Sequence, residues 1–492
     1  MESKVKFIHA ADSHLGHRQY NNARRFMDFS RAFRELLDKT KKEKADFLLI
    51  SGDFFHTGNV NPETMLVVYK YLYDFKEDTD GKVPVIVIEG NHDLRRYGMY
   101  RSWLQFIART GLITLLDAHR SDNDRPVEFK EYDNATGTGG YVNIKGINIY
   151  GIRWQGSATE TLIKDIAAAI DNDSFNILMM HFGVSGYLKD RKGIDYDTRT
   201  FGSLADKVQY LALGHFHKNY KIRNDNGDYW IYNPGSLEAN NVAESHYERG
   251  IYIVSVNPDS KEFECKFNED IPNRVFLDRT FNIGKGSLSS FTDAIDFILD
   301  DLEDDKLLSS SKGLPVSNLN VPVLRIVLEG SITYPRQEMD IGLLKERLEE
   351  KFNTLLVRIT NDCVSQQDGY FIEKGDLVHL DKIEHHVFRS MAEIDPRYQD
   401  VAESVSSLMR DIKRDFIEMS ASATDIRDMI SDWWDENENS IHLKAEESKQ
   451  SESEETSNSK QIKEPKKVEN SKSDELTKKK SAEAKTLDDF SS

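Results

Sequence analysis

The chain has 492 residues, a formal net charge of −19 and only two cysteines. This length predicts two to four domains, and the acidity excludes a uniformly basic nucleic-acid coat while leaving room for a local basic patch. Two cysteines far apart in sequence exclude a disulfide framework and favour a reducing compartment. Because neither a signal-peptide core nor an 18-residue apolar run occurs, we expect a cytoplasmic protein without a membrane span.

Short apolar runs alternate with helical patterns through the first half of the chain. Strand-like runs cover residues 5–10, 46–50, 83–88, 141–151, 175–180, 210–213, 229–232 and 250–256. Helical spacing appears over residues 26–42, after Pro62 and over residues 161–170. Strands that alternate with helices predict a layered α/β sheet, in which the loops at the strand carboxyl ends build the site.

The pattern is thinner beyond residue 273 and predicts a small α+β domain. Its expected elements are a helix near 290–302, a polar linker at 309–317, a strand at 321–328, a helix at 341–352 and a strand at 355–359.

The C-terminal part lacks strand signals. Apolar residues recur every three to four positions from Val401 to Met419 and again from Ile426 to Trp433, which predicts two amphipathic helices. Beyond about Asn437 the chain is rich in lysine, glutamate and serine. We expect that tail to be disordered, because it cannot bury enough apolar surface to offset the entropy of ordering.

Polar side chains of metal-ligand type follow five of the predicted strands. They are Asp12, His14, Asp53, Asn91, His92, His181, His215 and His217. Imidazole, carboxylate and amide oxygen together suit manganese, iron or zinc better than calcium, and the lack of cysteine argues against a structural zinc. The set is too large for one ion. It suits two ions about 3.5–4 Å apart that share a carboxylate, an arrangement that clamps a phosphoryl group.

These residues fall into five motifs that resemble, in order, those of the calcineurin-like metallophosphoesterases. The motifs are Asp12-x-His14, Gly52-Asp53 with His56, Gly90-Asn91-His92-Asp93, His181, and Gly214-His215-Phe216-His217. The resemblance implies that Asp53 bridges two ions, with Asp12, His14 and His217 completing one site and Asn91, His181 and His215 the other. It further implies that His92 donates a proton or stabilises phosphate, and that His56 also lies in the active site.

Within that superfamily, the amino-acid sequences of the motifs resemble those of one branch. Protein phosphatases usually carry Gly-Asp-x-Val-Asp-Arg-Gly, which is absent here. The segments Ala-Asp-Ser-His-Leu-Gly, Gly-Asp-Phe-Phe-His and Asn-Pro-Gly-Ser-Leu-Glu instead closely resemble the DNA double-strand-break repair nucleases of the meiotic-recombination-eleven family, called SbcD in bacteria. The resemblance covers residues 1–256 well and implies a mixed β-sandwich flanked by helices.

The rest of the chain matches that family in position and size. Residues 257–375 would be the α+β DNA-capping domain. Residues 376–436 would be the helix-loop-helix that binds the coiled coil of an ABC-type ATPase, and residues 437–492 a charged tail. The family implies two Mn²⁺ per subunit, or Mg²⁺ in their place. It also implies 3′-to-5′ exonuclease activity on duplexes, endonuclease activity on single strands, and a homodimer, here of archaeal type and near the nucleoid.

Two other functions stay open. The chain could be a calcineurin-like phosphodiesterase for nucleotides or small phosphoesters, or a DNA-end tethering scaffold in which cleavage is incidental. The extra domain and the helical pair argue against the first, because an enzyme for small substrates has little use for them.

Contacts with DNA and partners rest on weaker patterns. Basic residues adjoin the ligand loops and are either solvated charge or phosphate-backbone contacts: Arg18, Arg24, Arg25, Arg95, Arg96, Arg101, Lys189, Arg191 and Lys192. The stripe Val405, Leu408, Ile412 and Phe416 fits either an internal bundle or the ATPase partner. Residues 66–72 and 99–106 are candidate dimer surfaces. Residues 485–490 weakly resemble a sliding-clamp peptide, with Ala484 where glutamine is usual.

Overall fold

A computed structural model describes most of the chain. The described residues are 4–95, 100–118, 127–171, 173–188, 193–196, 198–284, 288–365, 385, 388–389, 391–393, 395, 397–417, 426–437 and 441. They all belong to one compact unit, residues 1–441. The predicted tail, including the clamp-like residues 485–490, lies outside them apart from residues 437 and 441. Among the described residues, no helix combines the length and apolarity that crossing a membrane requires.

The strands and helices follow the predicted alternation closely. The strands are β1 Val5–Ala10, β2 Phe47–Ser51, β3 Val85–Ile88, β4 Thr114–Leu115, β5 Tyr141–Ile144, β6 Ile147–Gly151, β7 Phe175–Met179, β8 Tyr210–Ala212, β9 Tyr220–Arg223, β10 Tyr229–Asn233, β11 Ile251–Val256, β12 Phe263–Asn268, β13 Phe276–Asn282, β14 Val323–Ile332 and β15 Leu356–Ser365. The helices are α1 Ala23–Lys42, α2 Pro62–Asp78, α3 Trp103–Arg109, α4 Thr159–Ala169, α5 Thr198–Ala205, α6 Phe291–Glu303, α7 Lys306–Ser311, α8 Ile341–Lys351, α9 Ala402–Ile417 and α10, residues 426–437.

Two six-stranded sheets form the body. The first has the order β12-β11-β1-β2-β3-β4 and the second β5-β6-β7-β8-β10-β9. In the first sheet β1 to β4 are parallel, while β11 pairs antiparallel with both β1 and β12. The sheets pack face to face through buried side chains such as Phe7, Phe47, Phe175, Ile177 and Tyr210. The predicted mixed β-sandwich is therefore confirmed.

Helices cover the outer faces of the sandwich. Helices α1, α2 and α3 pack on the first sheet through residues such as Phe33, Val68 and Leu104. Helices α4 and α5 pack on the second through residues such as Ile163 and Phe201. The layers thus run helix, sheet, sheet, helix, as expected when each amphipathic helix buries its apolar stripe against a sheet face.

The boundary of the first domain was predicted too early. Strand β12 pairs with β11 along its whole length, from Ile251 with Asn268 to Val256 with Phe263. The sheet therefore continues to Asn268, because the hairpin supplies its edge strand. The predicted end at residue 256 is wrong for that reason.

The next segment has a sheet and a core of its own. Strands β13, β14 and β15 form a parallel three-stranded sheet. Helices α6 and α7 connect the first pair and α8 the second, so strands and helices alternate instead of segregating as in α+β folds. Helix α7 occupies the start of the stretch predicted as a polar linker. The core includes Leu299, Leu324 and Leu344.

The predicted C-terminal helices are α9 and α10. The indole Nε1 of Trp433 in α10 donates to Ser404 Oγ in α9 at 2.7 Å, which joins the two helices. Of the stripe predicted to bind a partner, Val405, Leu408 and Ile412 are half-buried. The side chain of Phe416 lies outside the described residues.

Candidate metal centre

The predicted ligands converge at one edge of the sandwich. Each follows the carboxyl end of a strand, namely β1, β2, β3, β7 or β8, and these ends meet between the two sheets. Asp12, His14, Asp53 and His181 are almost fully buried. Backbone hydrogen bonds tie the first two loops together, since the Asp12 N–H donates to the Gly52 carbonyl and the His14 N–H to the Asp53 carbonyl.

One group of donors contains Asp12, His14, Asp53 and His217. Their donor atoms all lie within 4.8 Å of one another. The two imidazoles bring their Nε2 atoms within 3.0 Å, and His14 Nε2 lies 3.9 Å from Asp53 Oδ2. These are the four residues assigned to the first ion.

A second group contains Asp53, His181 and His215, with donor atoms again within 4.8 Å. Asn91 Oδ1 belongs with it, at 3.2 Å from His181 Nε2 and 3.1 Å from His215 Nδ1. His181 Nε2 is also 3.2 Å from Asp53 Oδ2. Asp53 thus takes part in both groups, as a bridging carboxylate must.

The donor chemistry fits a pair of divalent cations. The Nδ1–H of His181 donates to the Ser51 carbonyl at 2.8 Å, which turns its Nε2 towards the oxygens of Asp53 and Asn91. Nitrogen and oxygen donors from distant strands therefore point at two common centres, with no sulfur among them. Manganese, iron and zinc accept this mixture.

The backbone is strained at these positions. Asp12, His14, Asp53 and His215 have φ values of 52°, 44°, 49° and 91°, in the left-handed region that non-glycine residues seldom adopt. Such conformations cost on the order of 1–3 kcal/mol each and cluster at functional sites. Holding these four side chains in position therefore lowers the stability of the folded chain.

Burial and close charge set the protonation of the cluster. Burial alone would raise the pKa of Asp53, but the neighbouring imidazoles, His181 first, hold it well below its usual range. For His181, burial lowers the pKa, yet the Asp53 carboxylate outweighs burial and raises it to about 9. Burial raises the pKa of Asp12 to about 6 against the nearby imidazoles. Because an imidazole that ligates a metal must be unprotonated, cation binding would release protons here.

His92 lies beside both groups without belonging to either shared set. Its Nδ1–H donates to the His56 carbonyl at 2.7 Å, and its backbone N–H donates to Asp53 Oδ1 at 3.0 Å. Burial lowers the pKa of His92, but the carboxylates of Asp53 and Asp432 outweigh it and raise the pKa to about 9. His92 therefore carries a proton at neutral pH.

His56 forms part of a histidine cluster. Its ring centroid lies 3.7 Å from that of His17 and 5.6 Å from those of His14 and His92. His14, His56 and His92 also place ring nitrogens within 4.8 Å of one another. The structure thus brings His56 to the site and adds His17, which belongs to none of the five motifs.

Two carboxylates at the site, Glu244 and Asp93, were not among the site residues predicted from the sequence. Both oxygens of Glu244 lie 3.0 Å from His217 Nδ1, although Glu244 belongs to no motif and only the fold brings it close. Asp93 accepts the backbone N–H groups of Phe54, Phe55 and Gly90 and so fixes two ligand loops. The position of Asp93 in the motif Gly90-Asn91-His92-Asp93 was the one feature of the sequence that could have indicated this role.

The C-terminal helices lie over this site. A cavity of about 580 Å³ is lined on one side by residues of the metal centre and on the other by residues of α9 and α10, among them Leu408, Asp411 and Asp432. Asp432 Oδ2 lies 3.7 Å from His92 Nε2. Leu408, predicted to bind a partner, therefore faces the cavity in this structure.

The basic residues divide into three groups. Arg18, Arg24, Arg95 and Arg101 are exposed, and Arg18 pairs with Glu63 at 2.5 Å. Arg96, Lys189, Arg191 and Lys192 lie outside the described residues. Arg25 is fully buried and donates to Gln19, Asp28 and Glu238, so its prediction as a DNA contact is wrong.

Comparison with known proteins agrees with the site. Residues 5–219 match the family model of the calcineurin-like phosphoesterases. The DNA double-strand break repair protein Mre11 of Saccharolobus solfataricus is 26% identical over 426 residues, covering 84% of this chain and 96% of the relative. Mre11 of Archaeoglobus fulgidus is 30% identical over 248 residues, covering 49% of this chain and 52% of the relative.

A solved dimetal phosphatase from Danio rerio aligns with 53% of this chain and 98% of its own, with 12% identity and a TM-score of 0.32, a likeness too low to support an argument. Residues 5–219 are therefore similar to the calcineurin-like phosphoesterases, and the chain as a whole is similar to the archaeal Mre11 proteins.

Proposed function

We propose that the chain is a metal-dependent DNA nuclease that processes double-strand breaks. One observation carries this proposal: two donor groups share Asp53, and the imidazole of His92 lies beside them, anchored on the His56 carbonyl. The relatives' name, which refers to double-strand break repair, supplies the substrate class. The specific activities proposed are 3′-to-5′ exonuclease on duplexes and endonuclease on single strands.

The donor groups would hold two Mn²⁺ ions, or Mg²⁺ in their place. Asp12, His14, Asp53 and His217 would bind one ion, and Asp53, Asn91, His181 and His215 the other. Bound cations of this kind lower the pKa of a water and neutralise charge on phosphoryl oxygens.

The chain's own residues would handle the leaving group. The His92 Nδ1 is anchored on the His56 carbonyl, so Nε2 is the atom left to face the cavity. A protonated imidazole in that position can donate to the sugar oxygen that leaves the phosphate. His56 stacks between His17 and His92, and we propose that it keeps the ring of His92 in place.

DNA and protein contacts extend the proposal. Exposed Arg18, Arg24 and Arg95 would contact the phosphate backbone, together with Arg96, Lys189 and Lys192, and the β13–β15 domain would cap the DNA. Dimerisation would use the outer face of α2 and α3, where Leu66, Tyr69 and Phe106 are 69%, 40% and 49% exposed. A large exposed apolar patch often marks a protein interface.

The C-terminal helices would bind the coiled coil of an ABC-type ATPase through Val405, Leu408, Ile412 and Phe416. Because Leu408 faces the metal cavity here, that interaction would require the helices to leave the cavity. The complex would work in the cytoplasm beside the nucleoid. Pull-down of a long coiled-coil ATPase by the full chain, reduced by Leu408→Asp and Ile412→Asp together, would support this part.

The test of the activity uses His92→Ala and His217→Ala, with exposed His246→Ala as a matched control. Cleavage of a labelled duplex with Mn²⁺ should be lost in the first two and kept in the control, while all three bind DNA. Survival of cleavage in His92→Ala and His217→Ala would reject the site assignment. Hydrolysis of a p-nitrophenyl phosphodiester without any DNA cleavage in the unaltered chain would favour a small-phosphoester enzyme. DNA binding without either activity would favour a tethering scaffold.

A further inference from the structure

The ring of His217 is held from behind by a buried carboxylate. His217 turns Nε2 towards His14 and the first donor group, and its Nδ1 lies 3.0 Å from both oxygens of Glu244. Because Nε2 must offer a lone pair to a cation, Nδ1 carries the hydrogen and donates it to Glu244. Glu244 is only 5% exposed, so solvent scarcely competes for this bond.

Glu244 is itself held in place. It closes a short 3₁₀ turn, Val242–Glu244, and its carboxylate accepts from Asn241 Nδ2 at 2.9 Å and from the Asn240 N–H at 3.2 Å. The buried Arg249 guanidinium donates to the Glu244 carbonyl. A carboxylate fixed in this way fixes the ring that it contacts.

We infer that Glu244 is a positioning residue that sets the tautomer and direction of His217 for one cation of the pair. Outer-shell partners of ligating histidines typically change metal affinity about 10–100-fold when removed. The effect should fall mainly on the group of Asp12, His14, Asp53 and His217, since the ring that the Glu244 carboxylate contacts belongs to that group.

Mn²⁺ titration followed by electron paramagnetic resonance tests this inference without any measurement of cleavage. In Glu244→Ala one of the two Mn²⁺ affinities should fall about 10–100-fold, and the other should stay. Glu244→Gln, whose amide oxygen can still accept from Nδ1–H, should restore most of the loss, and exposed Glu248→Ala should match the unaltered chain. Unchanged Mn²⁺ affinities in Glu244→Ala would overturn the inference. An equal fall in both Mn²⁺ affinities in Glu244→Ala and Glu244→Gln would also overturn it.

An independent observation concerns the acidic helices over the cavity. Residues 426–437 contain four acidic residues and one arginine. Three of these acids, Asp432, Asp435 and Glu436, line the metal cavity together with Asp411 of α9. The cavity next to the metal donors is therefore lined by carboxylates on the side of the helices.

The carboxylates of the helices and the phosphates of a DNA backbone would compete for the same position beside His92. Both are anionic, both can approach the imidazole of His92, and within about 10 Å at 0.1 M salt they repel each other. Asp432 already makes the close contact with His92 that a phosphate would make. A duplex that approaches the donor groups through this cavity would meet α10.

We propose that α9 and α10 form an acidic cover that stands in for the phosphate backbone and that DNA must displace. This inference rests on the proposed function, and it assigns the helices a regulatory part at the same site. The ion pair of Asp432 with His92 joins the cover to the body, and a competing anion at His92 would break that pair.

The first experiment removes the charge of the cover in the full chain. Asp432→Asn, Asp435→Asn and Glu436→Gln together should tighten binding of a labelled duplex about tenfold in EDTA, measured by fluorescence anisotropy at low salt. The matched control is Asp259→Asn, Glu262→Gln and Glu264→Gln, three exposed acids away from the cavity. Equal affinities in the two triple variants would overturn the proposal.

Hydrogen–deuterium exchange then shows whether DNA displaces α10 or whether the loss of acidic charge alone tightens DNA binding. Duplex in EDTA should protect the loops around residues 14–17, 53–57 and 92–95, and should increase exchange in residues 426–437 of the unaltered chain. Protection of the loops with unchanged exchange in α10 would show DNA bound beneath an intact cover and would overturn the proposal. No protection in any variant would instead count against DNA as the substrate, and hence against the proposed function on which the cover rests.

Discussion

At the scale of single residues, neighbouring carboxylates decide which of the buried histidines can carry charge. His9 lies in β1, fully buried behind the metal centre, with Nδ1 3.0 Å from Tyr210 Oη and Nε2 3.0 Å from Ser51 Oγ. Nε2 also lies 3.1 Å from the Leu213 carbonyl. Because Tyr210 belongs to the second sheet and Ser51 to the first, this neutral imidazole joins the two sheets. Burial lowers the pKa of His9 to about 3, whereas His92, beside two carboxylates, stays protonated.

The His9 pKa predicts an acid-sensitive contribution to stability. The folded-state pKa of about 3 lies below the unfolded value of 6.5, so the unfolded chain takes up the proton first as the pH falls. The contribution of neutral His9 is therefore complete above pH 6.5 and is lost progressively towards pH 3. The slope is about 1.4 kcal/mol per pH unit, or about 2 kcal/mol between pH 6.5 and 5.

His9→Gln tests this prediction, because glutamine keeps polar atoms but does not titrate. At pH 7.5 we expect the variant to be destabilised by about 1–3 kcal/mol through weakened hydrogen bonds. At pH 5 the difference between the two proteins should shrink by about 2 kcal/mol. Urea denaturation followed by circular dichroism at both pH values measures it. A difference that stays constant with pH would contradict the assignment of neutral His9.

At the scale of elements, the site depends on how closely the strand-end loops approach. A Cβ at Gly90, just after β3, would lie 2.1 Å from Asp53 Oδ1 and 2.3 Å from the Asp53 nitrogen. Gly52 combines a φ of 86° with a hypothetical Cβ 2.3 Å from His181 Nδ1. Only glycine lets these loops bring the Asp53 carboxylate, which both donor groups share, between the two sheets.

Gly90→Ala should therefore disable the centre. The added methyl group must displace Asp53, which both donor groups share, so we expect both Mn²⁺ affinities to fall by at least about tenfold. The matched control is Gly202→Ala in α5, where an added Cβ meets nothing within 4 Å. That change should keep both affinities and add about 0.5–1 kcal/mol of stability, since alanine is the better helix former. Mn²⁺ titration and thermal denaturation measure the two effects. Unaltered Mn²⁺ binding in Gly90→Ala would contradict the described approach of the loops.

The sequence predicted what is local and missed what is distant. Apolar runs such as 46–50 and 175–180 predicted strands because their composition alone distinguishes them. The ligands were recognised because each motif sits at a strand end. Arg25 could not be distinguished from a DNA contact, since its partner Glu238 lies more than two hundred positions away. Glu244 and the cover by α10 were missed for the same reason: no pattern within a segment reports which segment folds against it.

At the scale of the whole molecule, a buried ionic network joins the sandwich to the following domain. Asp28 of α1 accepts from Arg25 at 2.8 Å, from Arg31 at 2.7 Å and from Arg274 at 2.5 Å. Arg274 lies between β12 and β13. Its guanidinium also donates to the carbonyls of Asn318 and Val321 at 3.0 and 2.6 Å, in the segment before β14. One side chain thus connects both domains and orders the connection between them.

Arg274→Ala should loosen that connection. The substitution leaves buried carbonyls without their donor and removes one cation from Asp28, and breaking a buried pair of this kind costs about 3–5 kcal/mol. We expect the single unfolding transition to separate into two, with the β13–β15 domain released first, because its own core is distinct from that of the sandwich. Chemical denaturation followed by circular dichroism, with limited proteolysis between residues 269 and 276, measures both effects.

The control is Arg279→Ala, whose partly exposed pair with Asp305 should contribute below about 1 kcal/mol. If Arg274→Ala unfolds at the same denaturant concentration as Arg279→Ala, the network does not hold the two domains together, and other contacts must position the β13–β15 domain.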